Sequence, residues 1–304
     1  KSDERNRADR RGHEKDFMRP AFPKIFIEYG LLKKIPEKVR EYGNTFVIIT
    51  DSNLKKVGEE LRERMKKAGY ACHLLILPAG EKSKSLTMVE KITSSLARLS
   101  VRRDACLLAL GGGMIGDITG FIASIYMRGI AYIAIPTTLL AMCDSGIGGK
   151  TGVDLPEGKN LVGTFYHPKA ILIDPELLKQ MPERSFRSGI AEVVKHAIIA
   201  DRSFFNFLEK NAAAILQRRK EAIIKMIRKS VDIKMDIVRA DERESLSKAG
   251  QNGPSRMFVN YGHTVGHALQ KLSGFTLAHG EAVAIGMVAE NRIAVGKTIL
   301  SEQE

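Results

Sequence analysis

The chain has 304 residues, 44% apolar and 27% charged, with 48 Lys and Arg against 35 Asp and Glu and a formal net charge of +13. That length exceeds one small core and implies two domains or one large α/β domain. No apolar run approaches the roughly 18 residues needed to span a bilayer, so a membrane partner is not expected.

In chain order, residues 1–20 mix charges of both signs and are predicted to form a flexible arm. KIFIEYG and NTFVIITD read as strands, NLKKVGEELRERMKKAG as a helix ended by Gly69, and ACHLLILPAG as a further strand. SKSLTMVEKITSSLARLS is a second helix, and DACLLALGGG a buried strand running into glycines. This β-α-β-α-β rhythm predicts an α/β fold with a parallel sheet over 21–175, which would bind ligands beyond the carboxyl ends of its strands. From 176 to 304 the pattern turns helical: FRSGIAEVVKHAIIAD, a long run from Phe204 to Asp241, and HGEAVAIGMVAENRIAVGK. That predicts a second, mainly α-helical domain, interrupted by a loop at 245–255, SLSKAGQNGPS.

The cysteines, Cys72, Cys106 and Cys143, are widely spaced and odd in number, which argues against a disulfide framework. With no visible leader peptide, they suit a cytoplasmic protein. The positive charge raises nucleic acid as a partner. Residues 210–234 hold eight Lys or Arg against two acids, but within a helical pattern and without an aromatic platform, so a solvated helix face is the simpler account. No nucleic-acid partner is expected.

Three segments point to small-molecule chemistry. ALGGGMIGD, 109–117, joins a strand to a helix, where glycines admit a pyrophosphate to the helix N-terminus; it lacks the GxGxxG spacing, and a structural turn explains it equally well. Asp51 at one strand end and PAGEKSK at another strengthen the case for a dinucleotide. DSGIGGKTGVDLPEGKNLVGTF, 144–165, is read as a glycine-dense loop offering Lys150 and Lys159 to an anion, or merely solvated lysines. NYGHTVGHALQKLSGFTLAHGEA holds three of the seven histidines. His263 and His267 share a helix face, His279 opens the next helix, and Glu192 in GIAEVVKH is a carboxylate on an apolar helix. A carboxylate and two imidazoles with open positions suit a catalytic metal; capping or surface histidines remain the alternative.

The blocks GGGMIGDITGFIAS, RGIAYIAIPTTLLAMCDSGIGGKTGVDLPEGKNLVGTF, GIAEVVKHA, NYGHTVGHA and AHGEAVAIGM together resemble 3-dehydroquinate synthases of the shikimate pathway, from about residue 22 to 295. The resemblance implies an NAD-binding domain, a metal-binding helical domain and a site between them. It implies Glu192, His263 and His279 as ligands of a divalent ion, Zn or Co, with His267 on the substrate side. It implies Asp51, Asn53, Glu81, Lys84, Gly113, Asp117, Thr137 and Thr138 as NAD contacts, shared with Lys150 and Lys159. Lys150, Lys159, Asn160, Asp144, Lys195, Lys234 and Arg256 would hold a phosphorylated sugar-acid substrate, and Arg128 would reach the site of a second subunit in a homodimer. The implied reaction converts 3-deoxy-arabino-heptulosonate 7-phosphate to 3-dehydroquinate and phosphate. It proceeds by transient oxidation, phosphate elimination, re-reduction and aldol closure.

The chain departs from the family pattern at three places. SLSKAGQNGPS separates Glu244 from Arg256, which bears on where Arg256 and Lys234 fall. Ser185 stands where a Glu is usual, and SEQE ends the chain where further helices, with a phosphate-binding lysine, are expected. Other readings are a different sugar-phosphate cyclase such as a 2-deoxy-scyllo-inosose synthase, a metal-dependent dehydrogenase of the glycerol dehydrogenase kind, or a basic binding protein.

Overall fold

The computed structural model describes residues 22–244, 255–274 and 276–301. The charged arm at 1–20 and all of the 245–255 loop but Ser255 lie outside them. Six strands form one parallel sheet: β1 (Lys24–Ile27), β2 (Thr45–Asp51), β3 (Ala71–Leu77), β4 (Cys106–Gly111), β5 (Ala131–Pro136) and β8 (Ala170–Ile173), in the order β1-β8-β5-β4-β2-β3. β4 and β8 are buried along their whole length, which is why they read as unbroken apolar runs rather than alternating ones. The α/β class read from the sequence is the one observed.

Helices cover both faces. A short α1 (Ile35–Lys38) and α2 (Lys55–Lys67) pack Ile35, Leu61 and Met65 against Phe46, Ile48 and Leu108 on one side. On the other, α3 (Leu86–Arg98) and α4 (Gly113–Ile125) bring Ile92, Leu96, Ile115 and Ile122 onto Val47, Ile49 and Leu107. Ser85 caps α3 by accepting from Met88 N at 3.3 Å.

Between β5 and β8 the structure corrects the sequence reading. Residues 150–165 are not a loop but an antiparallel hairpin, β6 (Lys150–Leu155) with β7 (Gly158–Phe165). The glycines that suggested a loop serve close strand approach: a Cβ on Gly163 would lie 2.1 Å from the Thr151 carbonyl oxygen.

After Pro175 all regular structure among the described residues is helical. α5 (Glu183–Ala200) is followed by α6 (Arg202–Lys210), α7 (Ala212–Leu216), α8 (Lys220–Ala240), α9 (His263–Leu272) and α10 (His279–Gly296). The run from Phe204 to Asp241 is therefore three helices. Arg218 takes a left-handed backbone (φ 55°), and its guanidinium donates to the Leu178 and Met181 carbonyls at 2.9 and 2.7 Å. That tie to a distant turn ends the helix where periodicity alone would continue it. Phe186, Val193, Phe204, Ile223, Ile227 and Val231 form this region's core, continuous with Ile171 and Ile173 of the sheet. The outer faces of α9 and α10 leave Leu272, Ile285, Val288 and Ile293 exposed. No helix among the described residues is long and apolar enough to cross a membrane.

Candidate active site

The carboxyl ends of β2 to β5 gather the residues assigned to a nucleotide. Asp51 ends β2 and accepts from Asn53 N at 2.9 Å; Glu81 and Lys84 follow β3; Thr137 and Thr138 follow β5. Gly113 opens α4, whose first N–H groups have no side-chain cap and so face outward with the positive end of the helix dipole. Asp117, one turn on, takes Lys84 Nζ at 2.6 Å. Burial pushes the Asp117 carboxyl up to about 6 against the pull of that lysine. Asn160, at the tip of the hairpin with φ 57°, turns its amide oxygen to Lys84 as well. These are an anion-accepting helix end, a carboxylate at a strand end and a buried lysine, a donor set that fits a dinucleotide.

The helical region supplies the second cluster. Glu192 lies mid-way along α5 and fully buried; His263 and His279 are the first residues of α9 and α10. Glu192 Oε1 is 3.1 Å from His279 Nε2 and 3.6 Å from His263 Nε2, and the three ligand atoms lie within 4.8 Å of one another. Both Glu192 oxygens are buried; Oε2 pairs with Lys195, and Oε1 faces the two imidazoles. Burial, reinforced by Lys195, pushes His263 down to about 4, so its imidazole is neutral and offers a lone pair. A buried carboxylate oxygen facing the ring nitrogens of two histidines is what a divalent cation would complete, so the residues fit a metal. His267 stands beside the cluster, its ring centroid 5.2 Å from that of His263 and 5.9 Å from that of His279, and outside the set of candidate ligand atoms.

Close backbone contact brings the three ligands together. A Cβ on Gly280 would sit 1.9 Å from the Ser188 carbonyl oxygen, and one on Gly286 would sit 2.0 Å from that of Gly262. These glycines let α10 press on α5 and on the start of α9. Arg184 adds a two-pronged pair to Glu281, at 2.7 and 2.6 Å. Gly286→Ala must part α9 from α10. It is expected to cost about 1–3 kcal/mol of stability, as overpacking does, and to weaken metal binding at the same time. Thermal unfolding and metal titration of the variant check both; a stable protein with unchanged metal affinity would contradict the packing argument.

Next to the metal cluster, cations converge on Asp144. Lys234 pairs with its Oδ1, and Lys195 Nζ lies 3.8 Å from Oδ2 while also pairing with Glu192. Burial opposes ionisation of Asp144, but Lys234 and Lys195 hold its carboxyl well below the usual range. Burial in turn pushes Lys234 down, with Asp144 resisting. Arg256 is buried too: its guanidinium donates to the Gly148 carbonyl at 3.0 Å and to that of Glu242. Lys234 and Arg256 thus reach one neighbourhood in spite of the insertion between them. Lys150 and Lys159 differ from these in being about half exposed, at 48% and 50%. Lys150 pairs with Glu244, and Lys159 is 3.3 Å from Glu81.

Arg128 is not brought to this site within one chain. It follows α4, at the opposite end of that helix from Gly113, and Met127 and Arg128 both take left-handed backbones. Ser185 is exposed in the first turn of α5. Two residues escaped the sequence reading. Glu244 accepts from Lys150 and from the Asn260 amide at 2.7 Å, and His196 lies buried behind Asp144. The acidic DERE run beside a basic helix was a signal for Glu244; nothing in the sequence pointed to His196.

Comparison with known proteins agrees with the geometry. Residues 74–188 match the family model described as 3-dehydroquinate synthase N-terminal, and 189–304 the one described as 3-dehydroquinate synthase C-terminal. The 3-dehydroquinate synthase of Dictyoglomus thermophilum is 47% identical over 271 residues, 89% of this chain and 73% of that protein. A 2-epi-5-epi-valiolone synthase from Streptomyces hygroscopicus, solved with NAD+ and Zn2+, superposes with a TM-score of 0.82 at 28% identity, covering 94% of this chain and 78% of its own. A 2-deoxy-scyllo-inosose synthase with carbaglucose-6-phosphate, NAD+ and Co2+ gives 0.81 at 27% identity, covering 92% and 74%. On this similarity the protein belongs to the 3-dehydroquinate synthase family.

Proposed function

We propose that the chain carries out the family's carbon–oxygen lyase reaction with NAD and one divalent ion, Zn2+ or Co2+. The substrate would be 3-deoxy-arabino-heptulosonate 7-phosphate and the products 3-dehydroquinate and phosphate. The observation that carries this reading is the adjacency of the Glu192–His263–His279 set to the Asp144–Lys195–Lys234 cluster.

When bound, NAD supplies reversible hydride transfer, and the ion, held by Glu192, His263 and His279, supplies Lewis-acid polarisation of a substrate oxygen. The chain's own groups do the rest. Lys234 and Arg256 are buried cations whose charge is only partly offset by Asp144, so they take the substrate carboxylate. Lys150 and Lys159, more exposed, take the phosphate, with His267 beside them. Glu244 keeps Lys150 extended until an anion replaces it. Asp144 and Lys195 orient the hydroxyls through a fixed pair of opposite charges. In the elimination the substrate's own phosphate accepts the proton, which makes its placement by Lys150 and Lys159 the protein's main contribution.

Phosphate release from the heptulosonate phosphate with catalytic NAD, followed with the NADH absorbance, tests this. Release that a chelator stops, without net NADH, supports it. Net NADH would indicate a dehydrogenase, and release from glucose 6-phosphate instead would indicate a different cyclase.

We also assign Arg128 to the phosphate of a second copy, in a homodimer. Arg128→Ala alone is expected to be inactive, as is His263→Ala. Mixed and re-equilibrated, the two should recover about a quarter of the wild-type rate, because half of the dimers carry one complete site. No recovery from exchanging dimers would contradict it.

A further inference from the structure

His196 lies on α5, fully buried, and none of the chemistry above uses it. Its Nδ1 is 2.8 Å from Ser230 Oγ of α8, and its Nε2 points at Asp144 Oδ1, 3.7 Å away. His196 Nε2 is buried without a hydrogen bond, and the Asp144 Oδ1 it faces is paired with Lys234. A buried ring nitrogen without a partner is costly unless it closes the slightly long gap to the carboxylate it faces.

We propose that Ser230 and His196 form a buried relay that positions Asp144, with His196 in the neutral Nε2–H tautomer. The donor count requires this direction. In the other tautomer the Nε2 lone pair would oppose the Asp144 carboxylate. With Nε2–H toward Asp144, Nδ1 is the acceptor, and Ser230 Oγ–H donates to it. Burial, with Lys234 and Lys195 nearby, lowers the pKa of His196 despite Asp144, so the ring is neutral.

The consequence is an asymmetric grip on one carboxylate. Lys234 and the Nε2–H share Oδ1, which leaves Oδ2 for Lys195 and, on the proposed function, for a substrate hydroxyl. His196 is then a positioning residue: it touches neither substrate nor cofactor. This role rests on that proposal, but the tautomer does not, so the two can fail separately.

The test is the ¹⁵N spectrum of the histidine side chains in the full chain at neutral pH, with His196 assigned by comparison with His196→Gln. An unprotonated Nδ1 with a protonated Nε2 is the result expected. A protonated Nδ1, or an imidazolium, overturns the relay. Kinetics give the second arm. His196→Asn keeps a group for Ser230 but withdraws the donor from Asp144; His196→Gln can place an amide N–H where Nε2 was. The Asn variant is expected to lose about 10²-fold, mainly in kcat, as misplacement by about 1 Å does, and the Gln variant to regain most of that loss. Equal rates for folded Asn and Gln variants would reduce His196 to a space-filling role and overturn the proposal.

Discussion

Glu192→Gln is expected to abolish metal binding and turnover together while leaving the fold in place. The change keeps the size of a fully buried side chain and removes its charge. Lys195, which pairs with Glu192, retains Asp144 at 3.8 Å and is not orphaned. Loss of an outer partner of a metal ligand already costs about 10- to 100-fold in affinity, so loss of the only anionic member of the set is expected to cost more. Metal content after gel filtration should fall from one equivalent to near zero. Added metal should stabilise the wild type, by about 2.7 kcal/mol at a hundredfold excess over Kd, and should not stabilise the variant. A variant that retains both metal and activity would remove Glu192 from the ligand set.

Asp144→Ala is expected to be the most destabilising single change near the site. Asp144 is the carboxylate on which Lys234, Lys195 and the buried His196 converge. Removing one partner of a buried ion pair costs about 3–5 kcal/mol, because it leaves a cation buried without its counter-charge. Urea unfolding of the variant measures it; a loss below about 1 kcal/mol, the range of surface pairs, would show that water already reaches the cluster. The same pairing fixes the sign of a pH effect. Asp144 is held well below its ordinary value in the folded chain, so its contribution is present above the unfolded carboxyl range, near pH 4. It is lost as pH falls from there through the folded value. Wild-type stability should therefore fall on acidification through that window more steeply than that of Asp144→Asn.

The exposed pairs deserve no comparable weight. Lys24 with Glu41 and Arg187 with Glu183 are open to solvent, where such contacts contribute at most a fraction of a kcal/mol.

Much of the molecule was determined locally. Strands β1 to β4 and the helices from Lys55 to Arg98 follow from apolar runs or periods and from glycines or caps at their ends, signals that act within about ten residues. The candidate metal ligands were legible for a related reason: a carboxylate on an apolar helix and histidines in a chain that has few of them stand out by type alone. The hairpin at 150–165 was not legible, because its glycines carry the signature of a loop until the partner strand that needs them is in place. The break after Leu216 was not legible either, since the guanidinium of Arg218 ends its helix on carbonyls some forty positions away. The Asp144 cluster was decided by tertiary structure alone. It joins the turn after β5, α5 and α8, with Arg256 close by. Charge attraction and desolvation depend on distance in space, and no period in the sequence encodes which lysine will be buried beside which carboxylate.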